Sequence, residues 1–393
     1  MNFQAAKNAY PASTRQAPRM MSARFSLYAA VNIVTAWFFC VPSLQAQEMH
    51  IQEMRAQDIV SPVNVSAQRA LFLKKTPAAA CPALASLPKV LTSQSFYTDA
   101  QHSKIDPKLE KKFYAEVQPV RDAEEAIAHA LSAYIKADAP AAETYAQCAL
   151  AHIHRFATDG AMLSTTHFRG TGQVRLFGVT PVLAYAVLKS SRSVPVDQQK
   201  DIEAWISHLA NFIIQAEKNY PYKNNIDYWG YAALASAGVA LQDRALLEHA
   251  LGKAAAALDD VDADGLLPHE IARGDLALSY SLFATQALSI SFAIAESNGY
   301  GAMRQRNNGA MVRLMHTMLG AVIDRAAFAA AIQSPGSLAR SITQQQMSWL
   351  ALARRYINEP ALVATYCHYS PLYNFRAGGE WATFLGDPTW CSK

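Results

Sequence analysis

Apolar residues recur at intervals of three and four along most of the chain, which is the spacing of one face of an α-helix. The clearest case is segment 201–220, whose apolar side chains form one stripe: Ile202, Trp205, Ile206, Leu209, Phe212 and Ile213. No strong run alternates in the manner of a β-strand. The pattern predicts an all-α fold of antiparallel helix hairpins joined by short breaks. The other predicted helices are 122–136, 141–157, 228–241, 245–258, 277–297, 303–329 and 343–356.

Composition divides the chain into three parts. Residues 1–46 contain four basic residues and no acid, and they include an apolar run from Phe25 to Val41. This is the pattern of a secretory signal peptide, so we expect cleavage after Ala46 and a periplasmic or secreted product. A retained membrane anchor is the alternative, but the apolar run is short for a stable membrane span. Residues 47–80 are polar and contain prolines, which predicts an exposed lead-in to a single domain over 81–393.

The charge of the chain excludes a general affinity for polyanions. The 393 residues include 35 basic and 31 acidic ones, a formal net charge of +4. Without the four basic residues of 1–46, 31 basic residues face 31 acidic ones, and the net charge is zero. A neutral chain has no global field that attracts nucleic acid. A site for an acidic polymer must therefore be local.

Four cysteines remain after the predicted cleavage, and an exported chain can join them in three different ways. We favour the pairs Cys81–Cys148 and Cys367–Cys391. The chain has no CxxC motif, and the cysteine spacing does not suggest a metal site, so no metal or other cofactor is expected. Nor do the histidines at 152 and 154 form a metal pair, because side chains two residues apart on a helix point apart.

Arg273 and Tyr280 form the first candidate site. They are seven residues apart, which is about two turns of helix, so both side chains can face the same way. A guanidinium can lower the pKa of a phenol, and a phenol can carry protons. The alternative interpretation is a surface cation and a half-buried packing residue.

The second candidate site lies in segment 220–230, with the sequence YPYKNNIDYWG. Asn224 or Asn225 could cap the helix that begins here. Alternatively, one of these amides could bind a carboxylate, with Tyr228 and Trp229 as stacking faces for a sugar.

The third candidate site lies in segment 373–384, with the sequence YNFRAGGEWATF. The two glycines predict a turn, and Arg376 precedes them. This arginine could close the fold near the C-terminus. It could equally bind a substrate acid group with two parallel hydrogen bonds.

The three stretches, in this order, resemble the mannuronate-specific alginate lyases, polysaccharide lyase family five. The NNHSYW motif of that family is matched by residues 224–229, and its FR-x-GGE motif by residues 375–380. Its LP-N-E-L segment, followed by an arginine and A-L-x-Y, is matched within 267–280, and its S-x-Y resembles 95–97. The resemblance covers essentially residues 81–386. It implies an incomplete α/α toroid of helix hairpins around a deep cleft.

The resemblance also implies a reaction, the β-elimination across C4 and C5 of a uronate in an acidic polysaccharide. The C5 proton is barely acidic until the adjacent carboxylate is neutralised, a role that the resemblance gives to Asn225 and Arg273. Tyr280 stands where the family tyrosine protonates the departing O4 and can also remove H5. Stabilisation of the enolate-like intermediate supplies most of the acceleration. The protein is expected to act as a monomer, with these substrate-binding residues: Asn224, Tyr228, Trp229, Arg376, Lys104 and Lys223.

Two positions depart from the family pattern. Ile226 stands in place of the motif histidine, and an isoleucine neither transfers a proton nor donates a hydrogen bond. Phe96 stands in place of the lysine of S-K-Y, so one substrate-facing cation is missing. The candidates to replace these two groups elsewhere in the chain are Lys104 and Lys223 for the lysine, and His167, His269 and Asp227 for the histidine.

Three functions remain open from the sequence. The first is an active lyase for alginate, polymannuronate or a polyglucuronate-like polymer, which the Arg273–Tyr280 pair favours. The second is a weak or inactive relative that binds acidic exopolysaccharide in the periplasm, which the departures at 226 and 96 favour. The third is a hydrolase with Asp227 and Glu270 as paired carboxylates. Absorbance of an unsaturated uronate separates them, because only lysis produces it.

Overall fold

The structure is a computed structural model that describes residues 58–75, 77–92, 95–99, 102–218, 223–338 and 341–391. The predicted signal peptide lies outside the described residues. Gln52–Lys393 form one compact unit.

The described chain is built almost entirely of α-helices, as the apolar pattern predicts. Four two-residue strands form two small pairs, parallel β1–β2 and antiparallel β3–β4. The strands are β1 (Val90–Leu91), β2 (Ser164–Thr165), β3 (Tyr373–Asn374) and β4 (Gly379–Glu380). The helices are α1 (Val65–Phe72), α2 (Pro107–Lys136), α3 (Ala139–Asp159), α4 (Phe168–Phe177), α5 (Val179–Lys189), α6 (Val196–Glu217), α7 (Asn225–Leu241), α8 (Arg244–Ala257), α9 (Pro268–Ile271), α10 (Ala277–Ser297), α11 (Ala302–Ile323), α12 (Arg325–Ala331), α13 (Leu350–Ala353), α14 (Pro360–Tyr369) and α15 (Trp381–Leu385).

Helix α7 lies at the centre of the core. It packs against α5, α6, α8 and α10, and its residues from Ala232 to Ala240 are all buried. Small side chains allow these neighbours to come close. A Cβ atom on Gly238 would lie 2.7 Å from the backbone nitrogen of Leu247 in α8, so a glycine is needed at this crossing.

Polar side chains and prolines set where the helices begin. Asp106 accepts hydrogen bonds from the backbone nitrogens of Lys108, at 2.8 Å, and Leu109, at 3.1 Å, and Pro107 is the first residue of α2. Asp243 caps α8 in the same way. These residues satisfy amide groups that the first turn of a helix leaves without partners.

The predicted helices 303–329 and 343–356 are not continuous. Helix α11 is interrupted at residues 306–309, where Asn307, Asn308 and Gly309 have positive φ angles, and it ends at Ile323. Left-handed backbone does not continue a right-handed helix. Segment 343–356 contains only a 3₁₀ turn (Gln344–Gln346) and the four-residue α13, because Thr343 and Gln346 form a capping box that closes a tight turn.

The described part of the predicted lead-in is exposed at 73–75 and 77–80, whereas the part before these residues packs on the domain. Val63 and Val65 are buried, and α1 packs on α2. Arg69 of α1 donates hydrogen bonds to the carbonyl oxygens of Tyr134 and Ala137. These carbonyls lie at the end of α2, where helical partners run out. The segment therefore belongs to the fold.

The disulfides are the two that we favoured, Cys81–Cys148 and Cys367–Cys391. The first bridge attaches the segment before β1 to α3, and the second attaches α14 to the C-terminal 3₁₀ turn. His152 lies within 4.8 Å of the sulfurs of the first bridge. Sulfurs that are bonded to each other offer no thiolate to a metal ion.

Among the described residues, one segment, Gly274–Ser297, has the length and hydropathy of a membrane span. Most of this segment is buried within the protein, where it packs on α7 and α11. Its apolar surface is therefore part of the core.

Candidate active site

One cleft brings the candidate residues together. Its cavity has a volume of about 340 Å³ and is lined by residues from the loop 95–102 and from α2, α4, α7 and α10, and by the segments around 345 and 375. Five of the predicted site residues line it: Asn224, Asn225, Arg273, Tyr280 and Arg376.

The two asparagines at the start of α7 have different tasks. Asn224 is the capping residue, because its side-chain oxygen accepts a hydrogen bond of 3.0 Å from the backbone nitrogen of Ile226. Asn225 is the first residue of the helix, and its side chain binds Glu270. The Nδ2 atom donates to Oε2 at 2.9 Å, and the backbone nitrogen donates to Oε1 at 2.6 Å.

Glu270 joins this helix start to the arginine. It lies in the short helix α9 and is fully buried. Its Oε2 atom is 4.0 Å from an Nη atom of Arg273. Burial raises the pKa of Glu270, although the bonds from Asn225 and the charge of Arg273 act in the opposite direction. One buried carboxyl group therefore positions both the amide and the cation.

Arg273 and Tyr280 face the same way, as their spacing predicts. The guanidinium carbon lies 3.8 Å from the centre of the Tyr280 ring and 5.5 Å from that of Tyr97. The guanidinium also donates to the backbone oxygen of His102, from Nε at 3.3 Å and from Nη2 at 3.0 Å. Helix α10 begins only at Ala277, because a 3₁₀ turn (Gly274–Leu276) separates it from the arginine.

Arg376 lines the opposite side of the cavity and also closes the fold. Its Nη2 atom lies 3.2 Å from Oε2 of the fully buried Glu124, and its guanidinium carbon lies 4.4 Å from the ring centre of Phe177. The Gly-Gly turn behind it is close to α2, since a Cβ atom on Gly379 would lie 2.3 Å from Oγ of Ser132. The position of Arg376 is therefore compatible both with closing the fold and with binding an acid group of the substrate.

The prediction that Tyr228 and Trp229 stack on a sugar is wrong. Their side chains are 2% and 0% exposed, and Trp229 packs against Phe283. The reason is the central position of α7, whose residues from Ala232 to Ala240 are all buried. Neither ring lines the cavity.

The proposed substitutes for the missing cation and histidine lie elsewhere. The two lysines and two histidines of this set are exposed and do not line the cavity: Lys104, Lys223, His167 and His269. Asp227 is buried and paired with the fully buried Arg175, and burial raises its pKa to about 6. Neither Asp227 nor Glu270 lines the cavity, so these carboxylates do not form the site of a hydrolase there.

Several polar residues of the cavity were not singled out from the sequence, among them His102, Arg121 and Gln346. His102 comes from a loop, Arg121 from α2, and Gln346 from a 3₁₀ turn. The guanidinium carbon of Arg121 lies 4.8 Å from the ring centre of Tyr114. No motif marks these residues, because only the folded chain brings their segments to the cleft.

An all-helical protein whose cleft combines an arginine, a tyrosine and an anchored amide has the architecture of a polysaccharide lyase. The sequence model of a family described as Alginate lyase matches residues 90–328. An alginate lyase of Azotobacter vinelandii is 30% identical over 332 residues, covering 80% of this chain and 86% of that protein. An alginate lyase of Pseudomonas aeruginosa is 28% identical over 352 residues, covering 86% and 94%.

The solved structures agree with the sequence relatives. Alginate lyase A1-III from Sphingomonas species A1 superposes with a TM-score of 0.67 at 19% identity, covering 85% of this chain and 99% of that chain. This likeness shows the fold, the α/α toroid that the sequence predicts. The chain belongs to the alginate lyase family.

Glu124 should make the stability of the fold depend on pH. Burial raises the pKa of this carboxyl to about 8, against 4.5 for an ordinary glutamate. Between these values the folded chain holds a proton that the unfolded chain has released, so the free energy of unfolding falls as pH rises. The slope reaches up to about 1.4 kcal/mol per pH unit. The side chain in Glu124→Gln is neutral at every pH, so this variant should lack the fall in the free energy of unfolding that Glu124 causes.

Urea unfolding at pH 5.5, 7 and 8.5 measures the effect. Glu125→Gln is the matched control, because Glu125 is the exposed neighbour on the same helix, and it should follow the wild type. Parallel stability curves for the wild type and Glu124→Gln would show that Glu124 ionises normally.

Proposed function

We propose that the protein cleaves uronate chains of the alginate type by β-elimination. The observation that carries the proposal is the stacking of Arg273 on Tyr280, next to Asn225, in the wall of one cavity. The names of the relatives support it, since the sequence matches are alginate lyases. Variants of A1-III with histidine changed to alanine, or tyrosine to phenylalanine, have been solved in complex with a tetrasaccharide.

In this proposal the carboxylate of the reacting uronate lies against Arg273 and Asn225. One N–H of the Asn225 amide is bonded to Glu270, and the second remains for a ligand. The Oδ1 atom of Asn225 is buried and has no hydrogen-bond partner among the described residues. Neutralising the carboxylate makes H5 acidic, because the charge that develops at C5 spreads into the carboxylate group.

The elimination then needs one proton to leave C5 and one to reach O4. The C5–H electron pair forms the C4–C5 double bond, and the C4–O4 bond breaks with its electron pair on O4. Tyr280, as phenolate, removes H5 and returns this proton to O4, so its protonation state is restored. The products are a chain with a new reducing end and a chain that begins with an unsaturated uronate.

A second candidate function is the binding of acidic polysaccharide without turnover. Ile226 and Phe96 favour it, because both line the cavity. Phe96 packs there with Phe113 and Tyr114, so this wall is apolar where the family carries a lysine.

Tyr280→Phe tests the proposed role of the phenol. The change removes the oxygen that carries the proton but keeps the ring on which Arg273 stacks. Turnover should fall by about a hundredfold to ten-thousandfold, the contribution of one positioned acid–base group, while oligosaccharide affinity stays near that of the wild type. Product absorbance measures turnover, and calorimetry measures binding. Near-native turnover would remove Tyr280 from the mechanism. A wild type that binds polymer without forming the product would establish the binding function instead.

The stereochemistry of the substrate gives a further prediction. In mannuronate and glucuronate H5 and O4 leave from the same side of the ring, so one tyrosine can serve both atoms. In guluronate they leave from opposite sides, and a separate base is required. Polymannuronate or polyglucuronate should therefore be cleaved, and polyguluronate should not. Comparable initial rates on purified polymannuronate and polyguluronate would show that a second base exists.

We also propose that residues 1–46 direct export and that the mature chain, 47–393, works as a monomer in the periplasm or outside the cell, without stable membrane insertion. The two disulfides support this proposal, because such bonds are typical of oxidising compartments. Expression of the full chain in a Gram-negative host, followed by fractionation and N-terminal sequencing, should give a soluble periplasmic protein that begins at Gln47. An uncleaved protein in the membrane fraction would contradict the proposal.

A further inference from the structure

We propose that His102 supplies the imidazole that position 226 lacks, and that its ring binds the substrate carboxylate beside Arg273. The proposal rests on the proposed function, since it concerns the same site and the same reaction. It assigns the imidazole to a loop residue that lies 124 positions before Ile226 in the chain.

The first support is the position of His102. Among the histidines of the described residues, it is the one that lines the cavity. Ile226 lines the same cavity, so the two residues can face one ligand. His167 and His269, which the sequence suggested as replacements, lie outside it.

The second support is the link between His102 and Arg273. The backbone oxygen of His102 accepts both hydrogen bonds from the guanidinium, at 3.0 and 3.3 Å. The imidazole is attached to the same residue, so it lies within one side-chain length of the cation. It also stacks on Tyr97, with ring centres 5.2 Å apart and an interplanar angle of 22°. Tyr97 in turn faces the Arg273 guanidinium.

The third support is the fixed backbone of the loop. His102 has a φ angle of +54°, a left-handed conformation that persists in non-glycine residues when the surroundings hold it. Asp99 provides such a hold, because its carboxylate accepts hydrogen bonds from the backbone nitrogens of Ser103, at 2.9 Å, and Lys104, at 2.7 Å. A further bond joins the Asp106 nitrogen to the Phe96 oxygen at 2.8 Å. The described residues 102–106 therefore hold the ring of His102 in a defined position.

The chemistry requires only a hydrogen bond. A neutral imidazole has one N–H, which can donate to an oxygen of the uronate carboxylate while Arg273 binds the other oxygen. Both contacts withdraw charge from the carboxylate and so favour loss of H5. His102 itself neither gains nor loses a proton. The proton that leaves C5 still reaches O4 through Tyr280.

The test is to remove the imidazole at 102 and to return one at 226. His102→Leu removes the N–H but keeps the backbone oxygen that binds Arg273. We expect kcat/KM on polymannuronate to fall about ten- to hundredfold, the effect of losing one hydrogen bond to a charged group. His102→Gln keeps an N–H donor and should recover part of the loss. Adding Ile226→His to His102→Leu should restore kcat/KM at least tenfold.

His269→Leu is the matched control, because this histidine is exposed and does not line the cavity, and its kcat/KM should equal that of the wild type. Thermal unfolding of each variant verifies that the chain is folded. A His102→Leu enzyme within twofold of the wild type would overturn the proposal. The proposal would also be overturned if kcat/KM fell equally in His102→Leu and His102→Gln and adding Ile226→His did not restore it. The His102 side chain would then act only by supporting the loop. If the wild-type protein formed no unsaturated product from any uronate polymer, the proposed function itself would be refuted.

Discussion

The arrangement of the cleft depends on the burial of one carboxyl group, Glu270. A carboxyl group taken out of water is unfavourable unless hydrogen bonds and a nearby charge compensate for the lost hydration. Asn225 provides two such bonds, and Arg273 provides the charge. The start of α7 and the turn before α10 are therefore held at a fixed separation. The amide and the guanidinium meet at the cavity because both serve the same buried acid.

The other wall of the cleft repeats this principle with Glu124 and Arg376. Each buried glutamate holds an arginine at the cavity surface, and Arg121 adds a third guanidinium to the lining. A chain that is formally neutral outside residues 1–46 can thus present a local concentration of positive charge. Recognition of an acidic polymer then depends on the cleft and not on attraction over long distances.

The sequence predicted those parts of the molecule that local patterns determine. Helix 277–297 was predicted with its observed ends, because it contains no glycine or proline and Ser297 precedes a turn. The disulfide pairs are the ones preferred among the three possible connectivities. Arg273 and Tyr280 face each other as expected, although a 3₁₀ turn separates the arginine from the helix. The predicted helix 343–356 was wrong, because the capping box that begins at Thr343 favours a tight turn over the weak helical period.

The positions of single side chains relative to the core were harder to predict. A motif does not show which face of its helix is covered, so Tyr228 and Trp229 were assigned to the substrate although they pack inside. His102 was missed for a different reason. Its contribution depends on a left-handed loop and on a backbone oxygen, and neither has a signature in the pattern of residue types.

The adjacent asparagines at the start of α7 have a consequence for changes in the chain before them. Asn224 fixes the first residue of the helix, and Asn225 follows it directly into the cleft. The helix start is thus defined by a cap and not by the length of the segment before it. In this chain, an insertion or deletion before the cap should therefore leave the register of the Asn225 amide, and its bond to Glu270, unchanged.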